Sequence, residues 1–252
     1  MQMNGKHAIV TGGGSGVGAE IAWQLAQAGT KVTIAGRTAE PLQEIAKAHE
    51  NIHWQTCNVA KPESVATSFD AARERYGPID IVVANAGAAH SKPFATMTLL
   101  DLHTMLDVNL GGVFNCWQKG LPDMQAKQQG RLIAIASTAG LKGYPYVTGY
   151  CAAKHGVIGL TRSLAQELAL SGITVNAICP GFTQTPLLER SIANIVEKTG
   201  RSAEDAARSL FKSNPQARFV QTSEVASAVL WLCSDGATSV NGHALSVSGG
   251  EI

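Results

Sequence analysis

Residues 6–19 read Lys6-His7-Ala8-Ile9-Val10-Thr11-Gly12-Gly13-Gly14-Ser15-Gly16-Val17-Gly18-Ala19, and this stretch decides the fold. A short apolar run stops at a glycine-rich turn, after which Ile21, Leu25 and Ala28 recur at helical spacing as far as Gly29. Strand, glycine turn and helix in that order form the expected phosphate-binding βα unit. The segment Gly14 to Ala19 fits the relaxed G-x-G-x-x-A form of the dinucleotide fingerprint. Missing side chains let a pyrophosphate approach the backbone at the helix N-terminus, where free N–H groups and the helix dipole favour anions. A glycine turn without a ligand is the competing reading. A Walker P-loop is excluded, because no Lys-Ser or Lys-Thr follows the glycines.

Working outward, strand and helix keep alternating. Further strands are expected at 31–35, 52–56, 79–84, 131–136, 173–178 and 244–247, with helices at 41–48, 62–76, 99–124, 149–170 and 222–233. Several strands are apolar throughout, as strands buried on both faces must be, so about seven strands are expected in one parallel sheet with helices on both faces. There is no repeat and no linker, and the whole of 1–252 reads as one domain. One stretch breaks the rhythm: 182–214 is helical in pattern, richer in charge, and bordered by Pro180-Gly181 and by Ser213-Asn214-Pro215. It follows the carboxyl end of a strand, where open α/β sheets bind ligands, and so suits a substrate lid; an ordinary pair of surface helices is the alternative.

Composition limits the partners. The 252 residues are 45% hydrophobic and 15% charged with a net charge of +1, which argues against nucleic acid or an anionic membrane as the main partner. Five scattered cysteines, odd in number and without a C-x-x-C, read as reduced thiols and imply neither a disulfide framework nor a metal site. The first strand begins almost at once, leaving no room for a signal peptide, and no apolar run reaches the ~18 residues of a membrane span. A cytoplasmic protein is expected.

Two groups carry chemistry. On a helix, Tyr150 and Lys154 are i,i+4 neighbours on one face. A phenol titrates near 10, and an ammonium one turn away favours the phenolate and moves it toward the working range. Ser137, at the end of the apolar run 131–136, could hold a carbonyl or alcohol oxygen while Tyr150 moves the proton. At the end of the second strand an NAD site usually offers a carboxylate to the ribose. Ala35-Gly36-Arg37-Thr38 offers a guanidinium and a hydroxyl instead, which suit a 2′-phosphate, so NADP(H) is expected over NAD(H).

Taken together these motifs resemble the short-chain dehydrogenase/reductase family over essentially the full length. Thr11-Gly12 with Gly16 and Gly18 is similar to its TGxxxGxG turn, and Asn85-Ala86-Gly87 to its NAG motif. Asn109, Ser137, Tyr150 and Lys154 match its catalytic tetrad; Pro180-Gly181 with Thr185, and Val247 to Gly250, match two further motifs. The resemblance implies a Rossmann-type doubly wound fold, commonly a homotetramer, that transfers hydride between nicotinamide and a small carbonyl or alcohol substrate. By the same resemblance Tyr150 exchanges the proton, Lys154 also holds the nicotinamide ribose, Ser137 fixes the substrate oxygen and Asn109 anchors a water. The cofactor would be bordered by Ser15, Val17, Val59, Asn85, Ala86, Gly87, Pro180, Gly181, Thr183 and Thr185, with Asn58 in place of the usual aspartate at the adenine.

Residues 185–189 and 203–211 look most like the 3-hydroxybutyrate dehydrogenase branch. The positions where that branch places carboxylate-binding residues read Ala89, Ala139, Val147 and Ser191. Small or apolar side chains cannot compensate a buried carboxylate, so a larger, mostly apolar ketone or a 3-oxoacyl thioester is expected. Lys142, His90 and Lys92 could meet a phosphate-bearing carrier or be merely solvated. Free aryl or cyclic ketones stay open as substrates, as does a non-catalytic dinucleotide-binding protein.

Overall fold

The computed structural model describes residues 3–252. Its seven strands form one parallel sheet: β1 (His7–Thr11), β2 (Lys31–Gly36), β3 (Ile52–Thr56), β4 (Ile81–Ala84), β5 (Gly130–Ile135), β6 (Ile173–Pro180) and β7 (Ala244–Val247), in the order β3-β2-β1-β4-β5-β6-β7. The chain winds one way from β1 to β3, then crosses back to start β4 beside β1. That reversal opens a crevice at the carboxyl ends of β1 and β4, where doubly wound sheets take their ligands.

One face of the sheet is covered by α1 (Gly16–Gln27) and α9 (Thr222–Cys233). On the other lie α3 (Pro62–Tyr76), α5 (Gly112–Lys127) and α6 (Thr148–Glu167). α2 (Ala39–Lys47) packs on β2 and β3, and α4 (Leu99–Leu106) on α6. Ile21 and Leu25 of α1 are fully buried; each stabilises the packing by about 1.5–3 kcal/mol, which fixes the helix whose N-terminus faces the glycine turn.

Sequence periodicity located every strand, and the borders that moved did so for local reasons. β4 begins at Ile81 because the Ile79 N–H goes to Asp123 Oδ2 at 3.0 Å. β6 runs on to Pro180 because β7 pairs with it to that point. The expected helix at 99–124 is continuous to Lys127 but widens into a π turn over Asp107–Gly111, between α4 and α5. The stretch 182–214 is not helical from its start. Val220 N donates to Phe182 O at 2.9 Å and Gln184 N to Val220 O at 3.0 Å, holding 182–185 extended before α7 (Pro186–Thr199) and α8 (Ala203–Phe211).

Candidate active site

The glycine turn is shaped by the residues around it. Gly16 adopts φ +54, a left-handed conformation that other residues rarely tolerate. A Cβ on Gly18 would run into the Gly12 carbonyl and the Asn85 amide, so helix and strand approach as closely as they do only because Gly18 has none. Ser15 is exposed and caps α1 in extended backbone without a side-chain bond, which leaves the first-turn N–H groups open to an anion. These features fit a pyrophosphate. Asn85 uses its side chain elsewhere: Nδ2 donates to Thr11 O at 2.8 Å, tying the end of β4 to the turn. The Thr11 hydroxyl accepts Asn85 N at 3.1 Å and Ala86 N at 3.0 Å.

Arg37 and Thr38 follow β2, both exposed, and Thr38 caps α2. Arg37 forms no ion pair among the described residues, so its guanidinium stands open beside the turn. Asn58 Oδ1 accepts Ala60 N at 3.2 Å, which leaves one lone pair for an adenine amino group. Val59 is buried, and its carbonyl accepts Asn115 Nδ2 at 2.9 Å.

At the carboxyl ends of β4, β5 and β6 the four chemistry-bearing residues come together. Ser137 follows β5 and is half-buried, its Oγ accepting Ala139 N at 3.1 Å. Tyr150 lies in the first turn of α6 and is hydrogen-bonded to Ser137. Lys154 is one turn on, 3% exposed, with Nζ 5.6 Å from the Tyr150 ring centroid. Nζ donates to Ile135 O at 2.8 Å. Burial pushes the Tyr150 phenol up to about 12, against the pull of the Ser137 hydrogen bond. Burial also brings the Lys154 ammonium down to about 8. The expected lowering of the phenol is therefore not found in the protein alone. Lys154 bonds a carbonyl and flanks the ring, and desolvation favours the neutral form of both groups.

Asn109 sits in the π turn and is fully buried. Its Oδ1 accepts Ala88 N at 3.2 Å, while Nδ2 donates to Ala88 O at 2.9 Å and Met105 O at 3.0 Å. The amide thus clamps the chain after β4, and Gly87 leaves the gap between it and Lys154: a Cβ there would lie 2.8 Å from Asn109 Oδ1. The Cys179 thiol, pushed up to about 11 by burial, stays protonated beside Ser137.

After Pro180 and Gly181, Thr183 Oγ1 donates to Gly181 O at 3.0 Å and Thr185 Oγ1 to Thr183 O at 3.2 Å. Thr185 caps α7 by accepting Leu188 N, and its methyl would lie 3.1 Å from a Cβ on Gly16, so the start of 182–214 touches the glycine turn. Two of the three rim cations are paired: Lys92 with Asp101 at 2.7 Å and Lys142 with Glu251 at 2.9 Å. His90 is exposed. Sequence reading missed Glu251. Its Oε1 accepts Tyr144 Oη and Ser213 Oγ, each at 2.6 Å, joining the loop after Ser137 to the end of 182–214. Burial opposes its ionisation, but hydrogen bonds from Ser213, Tyr144 and Lys142 outweigh it and hold the carboxyl below its ordinary value. Tyr144 also stacks edge-on against Phe182, with ring centroids 6.0 Å apart.

Comparison with known proteins gives this geometry a context. Residues 6–195 match the family model described as short chain dehydrogenase. A 3-oxoacyl-acyl-carrier-protein reductase of Aquifex aeolicus is 35% identical, covering 99% of this chain and 98% of its own. A D-beta-hydroxybutyrate dehydrogenase of Rhizobium meliloti is 34% identical over 97% of this chain and 98% of its own. Among solved structures, a variant of actinorhodin polyketide ketoreductase with NADPH superposes with a TM-score of 0.94 at 36% identity, covering 100% of this chain and 98% of that one.

Proposed function

The chain belongs to the short-chain dehydrogenase family and is an NAD(P)-dependent oxidoreductase interconverting a ketone and a secondary alcohol; from that premise we propose that it reduces a 3-oxoacyl thioester, or a comparably apolar ketone, with NADPH. The observation that carries the reading is the meeting of Ser137, Tyr150 and Lys154 at the carboxyl ends of the central strands. In reduction, Ser137 turns its hydroxyl from Tyr150 to donate a hydrogen bond to the substrate oxygen, and Tyr150 transfers its phenolic proton to the same oxygen as negative charge develops there. The nicotinamide supplies the hydride to the carbonyl carbon when bound. A phenol held at about 12 keeps its proton at neutral pH, which suits the donor in the reducing direction. Lys154, one turn on, offers donors to a ribose.

Open N–H groups at the glycine turn fit the pyrophosphate, and the unpaired Arg37 with Thr38 favours a 2′-phosphate over a 2′-hydroxyl. Substrate class follows from charge. Lys92 and Lys142 are neutralised by Asp101 and Glu251, and Ala89, Ala139 and Val147 carry no charge, so these positions leave a buried carboxylate uncompensated. A thioester has none at the reacting end. Residues 182–214 close over the crevice as a lid. Exposed Phe94, Leu99, Leu100 and Phe114 on and before α4 and α5 offer apolar surface for self-association, of which the homotetramer implied by the family resemblance is one form, and five buried free thiols suit the reducing cytoplasm.

Initial rates with NADPH and NADH against acetoacetyl-CoA, acetoacetate, aryl ketones and cyclic ketones test the proposal. The highest kcat/KM is expected for acetoacetyl-CoA with NADPH. Acetoacetate as the best substrate would refute the uncharged pocket, and a preference for NADH would refute the role of Arg37.

A further inference from the structure

The loop between Ser137 and Tyr150 holds one charged side chain, Lys142. Its backbone N–H donates to Thr138 O at 3.0 Å, so a single turn brings it back beside the residue that follows Ser137. A lysine at that place, with a long stem and a partly exposed head, is suited to meet a carboxylate on a bound ketone. The folded chain forestalls this. Glu251 Oε1 lies 2.9 Å from Lys142 Nζ, and the Glu251 side chain is only 1% exposed.

The surroundings keep Glu251 where it is. Tyr144 Oη and Ser213 Oγ donate to the same oxygen, each at 2.6 Å. Because Tyr144 uses its single proton on the carboxylate, the Thr138 hydroxyl donates to Tyr144 Oη, at 2.7 Å, and the chain of donors begins one residue from Ser137. Oε2 lies against Gly181, where a Cβ would come within 3.3 Å of it, so the glycine leaves the carboxylate room at the end of β6. These hydrogen bonds hold the carboxyl below its ordinary value despite burial, and it is charged at neutral pH. Lys142 Nζ also lies 5.1 Å from the Tyr144 ring centroid, and that ring meets Phe182 edge-on where 182–214 begins. The ion pair is therefore set where the loop after Ser137, the end of β6 and both ends of 182–214 converge.

We propose that Glu251 is a specificity-determining residue: it occupies Lys142 as a built-in counterion and so denies that cation to substrates carrying a carboxylate near the ketone. This role rests on the reading of the site as one for uncharged ketones. A carboxylate that is tethered and already in position outcompetes a free acid, which must give up its own freedom to bind. An acid that entered without displacing Glu251 would bring a second negative charge beside the first, with one ammonium to serve both. The ester or thioester end of a ketone carries no charge and meets neither obstacle.

Initial rates with NADPH on acetoacetate and on ethyl acetoacetate, which share the ketone and differ in charge, test this through the ratio of the two kcat/KM values. A loss of catalysis common to both substrates cancels in that ratio, so a purely structural role for Glu251 leaves it unmoved. Glu251→Gln keeps an amide oxygen for Tyr144 and Ser213 but releases Lys142. The ratio of acetoacetate to ester should then rise roughly tenfold or more, the worth of a hydrogen bond to a charged group. Replacing Lys142 as well, in Glu251→Gln with Lys142→Met, should abolish the gain, and a gain that survives there refutes the part given to Lys142. A wild type that prefers acetoacetate refutes the uncharged site itself. A wild type that prefers the ester, with a ratio unchanged in Glu251→Gln, refutes the role of Glu251 alone. Should Glu251→Gln not fold, Lys142→Met decides: it leaves the Glu251 charge without its ammonium and should lower the ratio several-fold, and an unchanged ratio overturns the proposal.

Discussion

Removing the Thr11 hydroxyl should cost both stability and cofactor binding, because one oxygen holds the glycine turn against the end of β4. Thr11 is 1% exposed, and its Oγ1 accepts the N–H groups of Asn85 and Ala86 at 3.1 and 3.0 Å. Valine at this position preserves shape and strand preference but offers a methyl where the two donors need an acceptor. Each N–H left without a partner costs about 1–3 kcal/mol, and water reaching one of them reduces the total, so the loss comes to about 2–4 kcal/mol. At about 2–4 °C per kcal/mol for a chain of this size, Tm falls by roughly 4–16 °C. Asn85 would also shift, and with it the amide bonded to Thr11 O at 2.8 Å, so the turn loses its frame. Thermal unfolding of Thr11→Val, with initial rates at varied nicotinamide and varied ketone, measures both effects. The KM for cofactor should rise several-fold while the KM for ketone changes little. A Tm within about 1 °C of the wild type and an unchanged cofactor KM would show the hydroxyl to be idle.

Three other perturbations separate the parts of the site. Arg37→Ala should lower kcat/KM for NADPH roughly 10- to 150-fold, the worth of a charge-assisted hydrogen bond, and leave NADH unaffected; equal losses with both cofactors would place Arg37 away from the 2′-phosphate. Lys154, at about 8 in the folded protein and near 10.5 when free, binds fewer protons folded than unfolded between those values, so its contribution to stability grows as pH rises from about 8 to 10.5. Tyr150 works in the opposite sense, its folded value of about 12 making stability fall as pH climbs beyond 10. In activity, kcat/KM for reduction should decline above about pH 8 as the ammonium is lost, and Lys154→Arg should remove that inflection; an inflection that persists belongs to another group. Glu251→Gln keeps the shape but loses the charge that gathers Lys142, Tyr144 and Ser213, so limited proteolysis within 182–214 should run several-fold faster, and an unchanged rate would show that the carboxylate does not secure that segment.

Features written in neighbouring residues were legible in the sequence. The glycine turn announced itself because strand, turn and helix are contiguous, and Tyr150 with Lys154 because helix geometry puts i and i+4 together. Strand order and the pairing of loop cations were not legible, since both depend on contacts made only after folding. Lys142 and Lys92 looked like free rim charges. Glu251 reaches Tyr144 across 107 positions of sequence, and no local pattern announces such a partner. The electrostatics were hidden for a related reason: spacing gives Tyr150 its neighbour, but burial sets the sign of the shift, and burial is a property of the whole fold.

The folded chain divides its polar residues in a way that composition cannot express. Thr11, Asn85 and Asn109 all turn their side chains to backbone groups, and each fixes a segment that ends at the crevice. Ser15 and Arg37 form no side-chain bond there, and Ser137 bonds only the Ala139 N–H and its catalytic neighbour Tyr150. The residues left unsatisfied are therefore the ones able to meet phosphate, ribose and carbonyl oxygen, while those satisfied internally hold them in place. A hydrogen-bonding side chain aimed at the backbone lowers the motion of the site, and one left open to the crevice gives it something to bind.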